Sequence, residues 1–494
     1  MEIELKRSSI PSLEMIGKCS NTCIISTDSV VPDNSEDILR ILSTDYSCKI
    51  RSKDINNDKV IISGEVDSVA VYVPESGEGI CTLNMKSEFE TTFDVPGADS
   101  SCSSFAELKV ISFELKIVNP RKIHVQGEIA VEQECYKMSD LSVLAECDVL
   151  PDCIYTKKQS AKVLRIAYVT EKTISIEEDI PIGENSGQEL IYASSRFISD
   201  TQELIGSKLI AKGRCLTTAL FYDGITIEQK EFSSDFSQLF NLNESTDNAC
   251  FRLNIIPTGE YYDIQDNYFV MDIRAVIEVI CYEESEVNYF ADAYSTNADL
   301  TADYSTFDST SAIYTKIGKI ADTANYDTSE IVAKVISSKV VNSDLRFSED
   351  KITLPYSVDV VYMTEDGTLK SCRLRKNAET DLHLAEGESI SWSNVKQLDC
   401  SIRSNSKSID CSINAELAIE ITRNVSIKQI SKITLEEIEE TSKKPSLYLR
   451  KVHNNNLWDL AKQYSSSEAD IMKANGLEAG ESIEGKILII PVKQ

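Results

Sequence analysis

Histidine is scarce in this chain, and its scarcity limits the chemistry that we expect. Only His124, His383 and His453 occur among 494 residues, and they lie far apart in the sequence. Nothing in their spacing pairs them for metal ligation or for joint acid and base work. We therefore expect no metal site and no histidine-based catalytic centre.

Motifs for nucleotide binding and for nucleophilic catalysis are missing as well. Gly17-Lys18 and Gly485-Lys486 lack the preceding glycine spacing of a Walker loop. The stretch GENSG at residues 183–187 carries serine in fourth place, whereas a nucleophile elbow needs it third. We predict that the protein is not an enzyme and uses no cofactor. Carboxylates that converge from distant parts of the chain are the alternative that one sequence leaves open.

Long apolar runs are also absent. No stretch approaches the roughly 20 apolar residues that cross a bilayer, and residues 1–18 mix charged with apolar side chains, unlike a signal peptide. We expect no membrane insertion and a cytoplasmic location. The 14 cysteines contain no CxxC pair, so we expect reduced thiols, many of them buried.

Basic residues are outnumbered by acidic ones, 50 to 80, which gives a net charge of −30. This charge repels phosphate backbones and anionic lipid, so we do not expect nucleic acid as a partner. The excess is unevenly placed. Residues 446–494 carry six residues of each sign, and the first 445 residues carry 74 acidic and 44 basic ones.

What the chain has in abundance is alternation of apolar and polar residues. From Ile352 to Tyr362 every second side chain is apolar, which is typical of a strand with one buried face. Pro355 occupies one of the intervening positions, and because it lacks a backbone N–H it indicates a strand at a sheet edge. The stretch at residues 54–58, DINND, resembles a calcium loop but has lysine where glycine is needed, so we interpret it as a hairpin turn.

The alternating stretches recur at a nearly constant spacing. Residues 59–73 and 208–222 align so that Gly64 and Gly213 lie 149 positions apart, and Cys135 and Cys281 end similar strands 146 apart. An internal repeat explains this spacing. We predict a mainly β protein with three tandem, sandwich-like β-rich repeats at residues 1–160, 161–305 and 306–430. A linker at 431–445 and a small domain at 446–494 complete the predicted organisation.

The first repeat resembles the SPOCS domain of spore coat proteins. That domain's pattern includes a lysine-led strand, here residues 59–73, followed by Val-Pro-Gly, here residues 95–97, and Pro-Arg-Lys, here residues 120–122. The second and third repeats keep the strands and lose both short motifs. The resemblance covers most of residues 20–430.

The C-terminal segment resembles a LysM module of strand, two helices and strand. Residues 457–464 form the first helix, residues around 471–477 the second, and ILIIPV the closing strand. The usual Gly-Asp-Thr loop of glycan-binding members is replaced by three asparagines. The resemblance implies partner-binding residues in the loop and the helix ends: Asn454, Asn455, Asn456, Leu457, Trp458, Lys473, Asn475, Gly476 and Leu477.

Together the two resemblances imply a SipL-type spore coat morphogenetic protein. Members are non-enzymatic scaffolds at the forespore surface in the mother cell, where LysM docks the polymerised basement-layer ATPase SpoIVA. Self-association is a further possibility that the sequence leaves open. The alternative is a cell-envelope protein whose LysM module binds peptidoglycan, which the missing export signal argues against.

Overall fold

The structure is a computed structural model and describes residues 2–3, 5–77, 79–146, 151–183, 188–224, 226–242, 249–348, 350–437, 445–478 and 480–492. The prediction of a mainly β protein is confirmed, since these residues form 22 strands and two short helices. Within the described ranges, neither helix has the length and apolar character needed to span a membrane.

Three stretches of chain use six main strands in the same order, and we call them units 1, 2 and 3. Unit 1 contains β2 (Lys6–Val30), β3 (Ile38–Asn56), β4 (Lys59–Pro74), β5 (Cys81–Asp94), β6 (Ser103–Asn119) and β7 (Lys122–Glu146). Unit 2 contains β8 (Ile154–Pro181), β9 (Glu189–Ile205), β10 (Lys208–Tyr222), β11 (Ile227–Asn241), β12 (Cys250–Gln265) and β13 (Tyr268–Ser295). Unit 3 contains β14 (Ala298–Asp327), β15 (Val332–Asn342), the short β16 (Arg346–Ser348), β17 (Lys351–Thr364), β18 (Leu369–Asp381), β19 (Glu388–Asn405) and β20 (Ser408–Glu437).

Each unit pairs its strands into two antiparallel sheets. In unit 1 the orders are β3-β4-β5 and β6-β7-β2, and in unit 2 they are β9-β10-β11 and β12-β13-β8. Strands β2 and β8 also pair at Leu13 and Ile166, which joins β6-β7-β2 and β8-β13-β12 into one six-stranded sheet. Unit 3 repeats the pattern with β15-β17-β18 and β19-β20-β14, and β16 pairs with β17 as well. Each pair of sheets encloses one apolar core. The alternation from Ile352 to Tyr362 is confirmed, because its apolar side chains are buried in the core of unit 3.

The matching glycines occupy a point of close approach in two units. A Cβ atom on Gly64 would lie 2.4 Å from the carbonyl oxygen of Lys49, and one on Gly213 would lie 2.2 Å from that of Ile198. Each contact crosses to the preceding strand beside a register shift. Any side chain there would push the strands apart, so only glycine fits.

Short turns set the register of the hairpins. Asn57 and Asp58 have φ angles of 45° and 64° and join β3 to β4 as a two-residue loop. Asp266 and Asn267, at 47° and 67°, join β12 to β13 in the same way. Such left-handed pairs match the twist of a hairpin. The turn predicted at residues 54–58 is therefore confirmed.

The predicted unit boundaries need correction. β8 begins at Ile154 and β14 at Ala298, so the predicted divisions at 160/161 and 305/306 fall inside strands. The predicted linker begins too early, because β20 continues to Glu437 with Ile433 fully buried. Residues 438–444 of that linker lie outside the described residues. The first and last strands of each unit are longer than the sandwich, and the sandwich pattern alone does not reveal this.

Pro355 does not mark a sheet edge, which corrects another expectation. β17 is the central strand, with β18 on one side and β15 and β16 on the other. Pro355 lies between the residues that pair with β15 and those that pair with β16. The missing N–H of proline is tolerated because the neighbouring strand is interrupted there.

The long first and last strands continue beyond each sandwich as two-stranded ribbons that pack together. Val143 of unit 1, Val163 and Val287 of unit 2 and Ile427 of unit 3 form one buried cluster. The backbone N–H of Leu144 donates to Gln429 Oε1 at 3.0 Å, which joins units 1 and 3. The short β1 (Glu2–Ile3) adds to β20. The three units therefore share a common apolar axis.

A buried arginine lies where the three units meet. The Arg252 guanidinium of unit 2 pairs with Glu134 of unit 1 and approaches Glu420 of unit 3 at 3.6 Å. It also lies 4.7 Å above the ring of Phe105. Glu134 in unit 1 and Glu420 in unit 3 occupy the strand position that Ile280 occupies in unit 2. Arg252 thus contacts one buried carboxylate in each of the other two units, and Lys18 supplies a second cation to Glu134.

Removing this cation should destabilise the whole assembly of units. We expect Arg252→Met to lower the free energy of unfolding by about 3–5 kcal/mol, because the buried Glu420 would lose its ion-pair partner and the buried Glu134 would keep only the half-exposed Lys18. The control is Arg214→Met, whose ion pair with Asp200 is largely exposed and contributes at most about 1 kcal/mol. Chemical denaturation measures both. Equal losses in the two variants would contradict the role given to Arg252.

A second buried carboxyl group lies between units 1 and 3. Glu107 of β6 accepts a hydrogen bond from the Trp392 Nε1 of β19 at 2.9 Å, and the Lys109 Nζ is 3.9 Å away. Burial raises the pKa of Glu107 to about 7, although Lys109 and Trp392 act in the opposite direction. The carboxyl group therefore titrates near neutral pH in the folded protein.

Glu107 should make stability depend on pH. Its folded-state pKa lies above its ordinary value of 4.5, so the folded state holds the proton more tightly and loses stability as the pH rises from about 4.5 to 7. We expect Glu107→Gln to remove a decline of about 3 kcal/mol in the free energy of unfolding over this range. Urea unfolding at several pH values measures it, with the exposed Glu90→Gln as control. Parallel curves for the wild type and Glu107→Gln would refute the assignment.

Candidate partner-binding site

The C-terminal module is a small two-layer unit. It contains β21 (Leu447–Lys451), α1 (Leu457–Gln463), α2 (Glu468–Asn475) and β22 (Ile487–Pro491). The two strands pair antiparallel, with Leu449 opposite Ile489. Leu460, Ile471 and Ile490 form part of a buried cluster between the sheet and the helices. The predicted site residues lie in the loop before α1 and at the end of α2.

The three asparagines before α1 have different roles. Asn456 is the N-cap of α1, and its side chain accepts the N–H of Asp459 at 2.8 Å. Asn454 has a φ of 52°, and its N–H donates to Glu484 Oε2 at 3.0 Å. Asn455 is exposed. The loop is thus held by backbone contacts and presents Asn455 outward.

Leu457 and Trp458 face inward rather than toward a partner. Leu457 is half-buried beside the core of the module. Trp458 is 7% exposed, and its Nε1 donates to Asp292 Oδ2 of unit 2 at 2.8 Å. Its ring meets that of Tyr294 edge to face, with centroids 4.9 Å apart. The sequence left open whether Trp458 is core or contact, and the structure buries it against unit 2.

This contact is one of a group of polar contacts between unit 2 and the module, which we call the clasp. Asp292 and Tyr294 of unit 2 make these contacts with Trp458, Lys462 and Ser466 of the module. The Lys462 Nζ lies 2.7 Å from Asp292 Oδ1, and the Tyr294 hydroxyl donates to the carbonyl of Ser466 at 3.0 Å. Burial acts to raise the pKa of Asp292, but hydrogen bonds from Lys462 and Trp458 lower it overall. The carboxylate is therefore charged at neutral pH. The module is therefore in direct contact with unit 2.

The residues at the end of α2 are partly structural. Gly476 caps the helix with a φ of 62°, and Leu477 packs against the module core. The Asn475 amide donates to the carbonyl of Ile471 and to that of Ile489, both at 2.7 Å, and its Oδ1 accepts the N–H of Ile489 at 2.8 Å. Lys473 is exposed. Of the predicted residues, Asn455 and Lys473 are those best placed for an outside partner.

Sequence reasoning missed the most exposed apolar surface of the module. Leu447, Leu449, Ile487 and Ile489 are 51%, 67%, 67% and 40% exposed. They share the face of the β21–β22 sheet that points away from the helices, since Leu488 and Ile490 between them are buried. Four large aliphatic side chains on one small face are a sign of an interaction surface. The continuous apolar run ILII could have indicated this surface, because apolar and polar residues alternate in an ordinary half-buried strand.

A cavity of about 670 Å³ lies where the three units meet. Its lining includes Lys18, Glu134, Arg252 and Glu420. Lys18 Nζ lies 2.9 Å from Glu134, and Arg252 joins both carboxylates. These charges neutralise one another and hold the units together.

The histidines, for which we expected no catalytic role, belong to different parts of the fold. His124 of unit 1 lies 2.7 Å from Asp28, and His453 of the C-terminal module lies 3.1 Å from Glu484. Across the described ranges, no three His, Cys, Asp or Glu side chains are grouped to hold a metal ion. The cysteines in the same ranges are free thiols, and the predicted burial of Cys135 and Cys281 is confirmed. Cys147 lies outside the described residues.

Comparison with protein-family models identifies one domain. Residues 37–118, from the start of β3 almost to the end of β6, match the family described as SipL, SPOCS domain. No curated protein and no solved structure matches the chain. The match covers less than half of the chain and lies within unit 1.

The clasp can be opened by a single substitution. We expect Asp292→Ala to release the module from unit 2, because Trp458 and Lys462 lose their shared acceptor and Trp458 gains contact with water. In a Trp392→Phe background Trp458 is the sole tryptophan, so its fluorescence should shift to longer wavelength. The control is the exposed Asp303→Ala. An unchanged spectrum in Asp292→Ala would show that the clasp does not hold the module.

Proposed function

We propose that this protein is a non-enzymatic morphogenetic scaffold of the spore coat, of the SipL type. The observation that carries the proposal is the SPOCS match over residues 37–118. The other two units share the strand order and pairing of unit 1. We infer that all three are diverged copies of one SPOCS repeat and that the C-terminal module is a LysM module.

The physical character of the chain supports a scaffold. The three units pack through shared apolar clusters and a buried ionic junction, which makes one stiff body with several faces. The units carry almost all of the negative charge, whereas the module is electrically balanced. A neutral module with an exposed apolar face can approach a protein partner that the acidic body would repel.

Within this proposal the module docks a coat protein such as SpoIVA at the forespore surface in the mother cell, and the units link further coat layers. The exposed Asn455 and Lys473 and the apolar β21–β22 face are the surfaces available for docking. Trp458 and Leu457 act indirectly, by keeping the module folded and attached to unit 2.

Deleting residues 446–494 tests the proposal. We expect the truncated protein to keep the fold of the three units, since their cores contain no residue of the module. It should lose binding to SpoIVA and recruitment to the forespore surface. Binding to SpoIVA and to purified peptidoglycan is measured side by side with the full chain. Tight peptidoglycan binding without SpoIVA binding would replace the scaffold by an envelope function.

Point variants separate surfaces within the module. Asn455→Ala and Lys473→Glu change exposed positions, where substitutions shift stability by only about 0.5 kcal/mol. Any loss of SpoIVA binding in these variants therefore reports on contact. The matched control is Lys407→Glu, an exposed charge reversal in the β19–β20 turn of unit 3.

A further inference from the structure

The two edges of the β21–β22 sheet differ, and the difference points to a way of binding. On the β22 edge, the Asn475 amide makes hydrogen bonds to both the N–H and the carbonyl of Ile489, at 2.8 and 2.7 Å. It takes the place that a third strand would occupy. The edge of β22 is therefore closed at its centre.

The β21 edge is open. Hydrogen bonds from Val492 to Ser446, at 3.0 Å, and from Val452 to Lys486, at 2.9 Å, set the alternation of the antiparallel pair. By this alternation Leu447, Leu449 and Lys451 direct their backbone groups away from β22. In the part of the chain that the structure describes, β21 has no strand partner other than β22.

The same residues contribute to the exposed apolar face. Leu447 and Leu449 lie beside Ile487 and Ile489, and Lys451 ends the row opposite Ile487. Lys451 is exposed and forms no ion pair with any described residue. An open row of backbone donors and acceptors thus borders an aliphatic face with a cation at one end.

We propose that β21 binds an extended segment of a protein partner, which adds to the sheet as a third strand. Unpaired strand edges are satisfied by another strand, and side chains at alternate positions provide the specificity. The added strand would place apolar residues beside Leu447 and Leu449 and an acidic residue beside Lys451. A second copy of this chain is a poorer occupant, because each copy carries a charge of −30. The inference rests on the proposed function and names the docking edge.

Two variants of the full-length chain test the edge while leaving the β21–β22 hydrogen bonds in place. Leu449→Pro removes an outward-facing N–H, which an edge strand tolerates, and Lys451→Glu reverses the charge beside the expected acidic residue. We expect each to weaken binding to purified SpoIVA at least about tenfold. Lys407→Glu, in the β19–β20 turn of unit 3 and far from the module in sequence, should bind like the wild type. Trp458 fluorescence in a Trp392→Phe background verifies that the module is folded.

The outcomes distinguish this inference from the function on which it rests. If deletion of residues 446–494 abolishes binding while folded Leu449→Pro and Lys451→Glu both bind normally, the edge proposal is wrong and the docking function stands. If the deletion itself leaves binding intact, the docking function fails. Sedimentation that shows a dimer of the chain alone, dissociated by Leu449→Pro, would overturn the partner strand in favour of a second copy.

Discussion

The charge of Arg252 is the constraint on which the arrangement of the three units depends. A guanidinium buried to this degree is stable only with anionic partners in place. Those partners, Glu134 and Glu420, come from units 1 and 3, so the ion pairs join unit 2 to both of the other units. At equivalent positions, units 1 and 3 carry Glu134 and Glu420, whereas unit 2 carries Ile280. The arginine that contacts both glutamates comes from unit 2.

Apolar packing reinforces this electrostatic constraint along the shared axis. The first and last strands of each unit extend past the sandwich, and their two-stranded ribbons would be marginal alone in water. Together they bury clusters that contain residues from all three units. Stiffness follows from the combination, because the ionic junction sets the orientation of the units and the apolar clusters supply most of the stabilising contact.

The attachment of the C-terminal module to the three units determines which surfaces of the module are covered and which are exposed. Asp292 and Tyr294 cover Trp458, so the start of α1 faces unit 2. The outer face of the sheet and the open edge of β21 remain accessible. A module tethered only by a flexible segment would present every face equally. Here the clasp leaves the aliphatic face and the adjoining strand edge for contacts outside the chain.

The sequence alone determined the class of structure, because period-two alternation shows which side chains share a face and left-handed turn residues show where strands reverse. The burial of Ile352 and Val358, the hairpin turn at residues 54–58 and the balanced charge of residues 446–494 could all be inferred from the sequence. The alternation of apolar and polar residues does not show which distant part of the chain covers the apolar face of a strand. It also does not show where a strand continues beyond its sandwich. Tertiary structure therefore decided the partners of Arg252 and Trp458, the continuation of β20 to Glu437 and the exposure of Ile487 and Ile489. These features depend on contacts between elements that are distant in the sequence, and no local pattern of residues specifies such contacts.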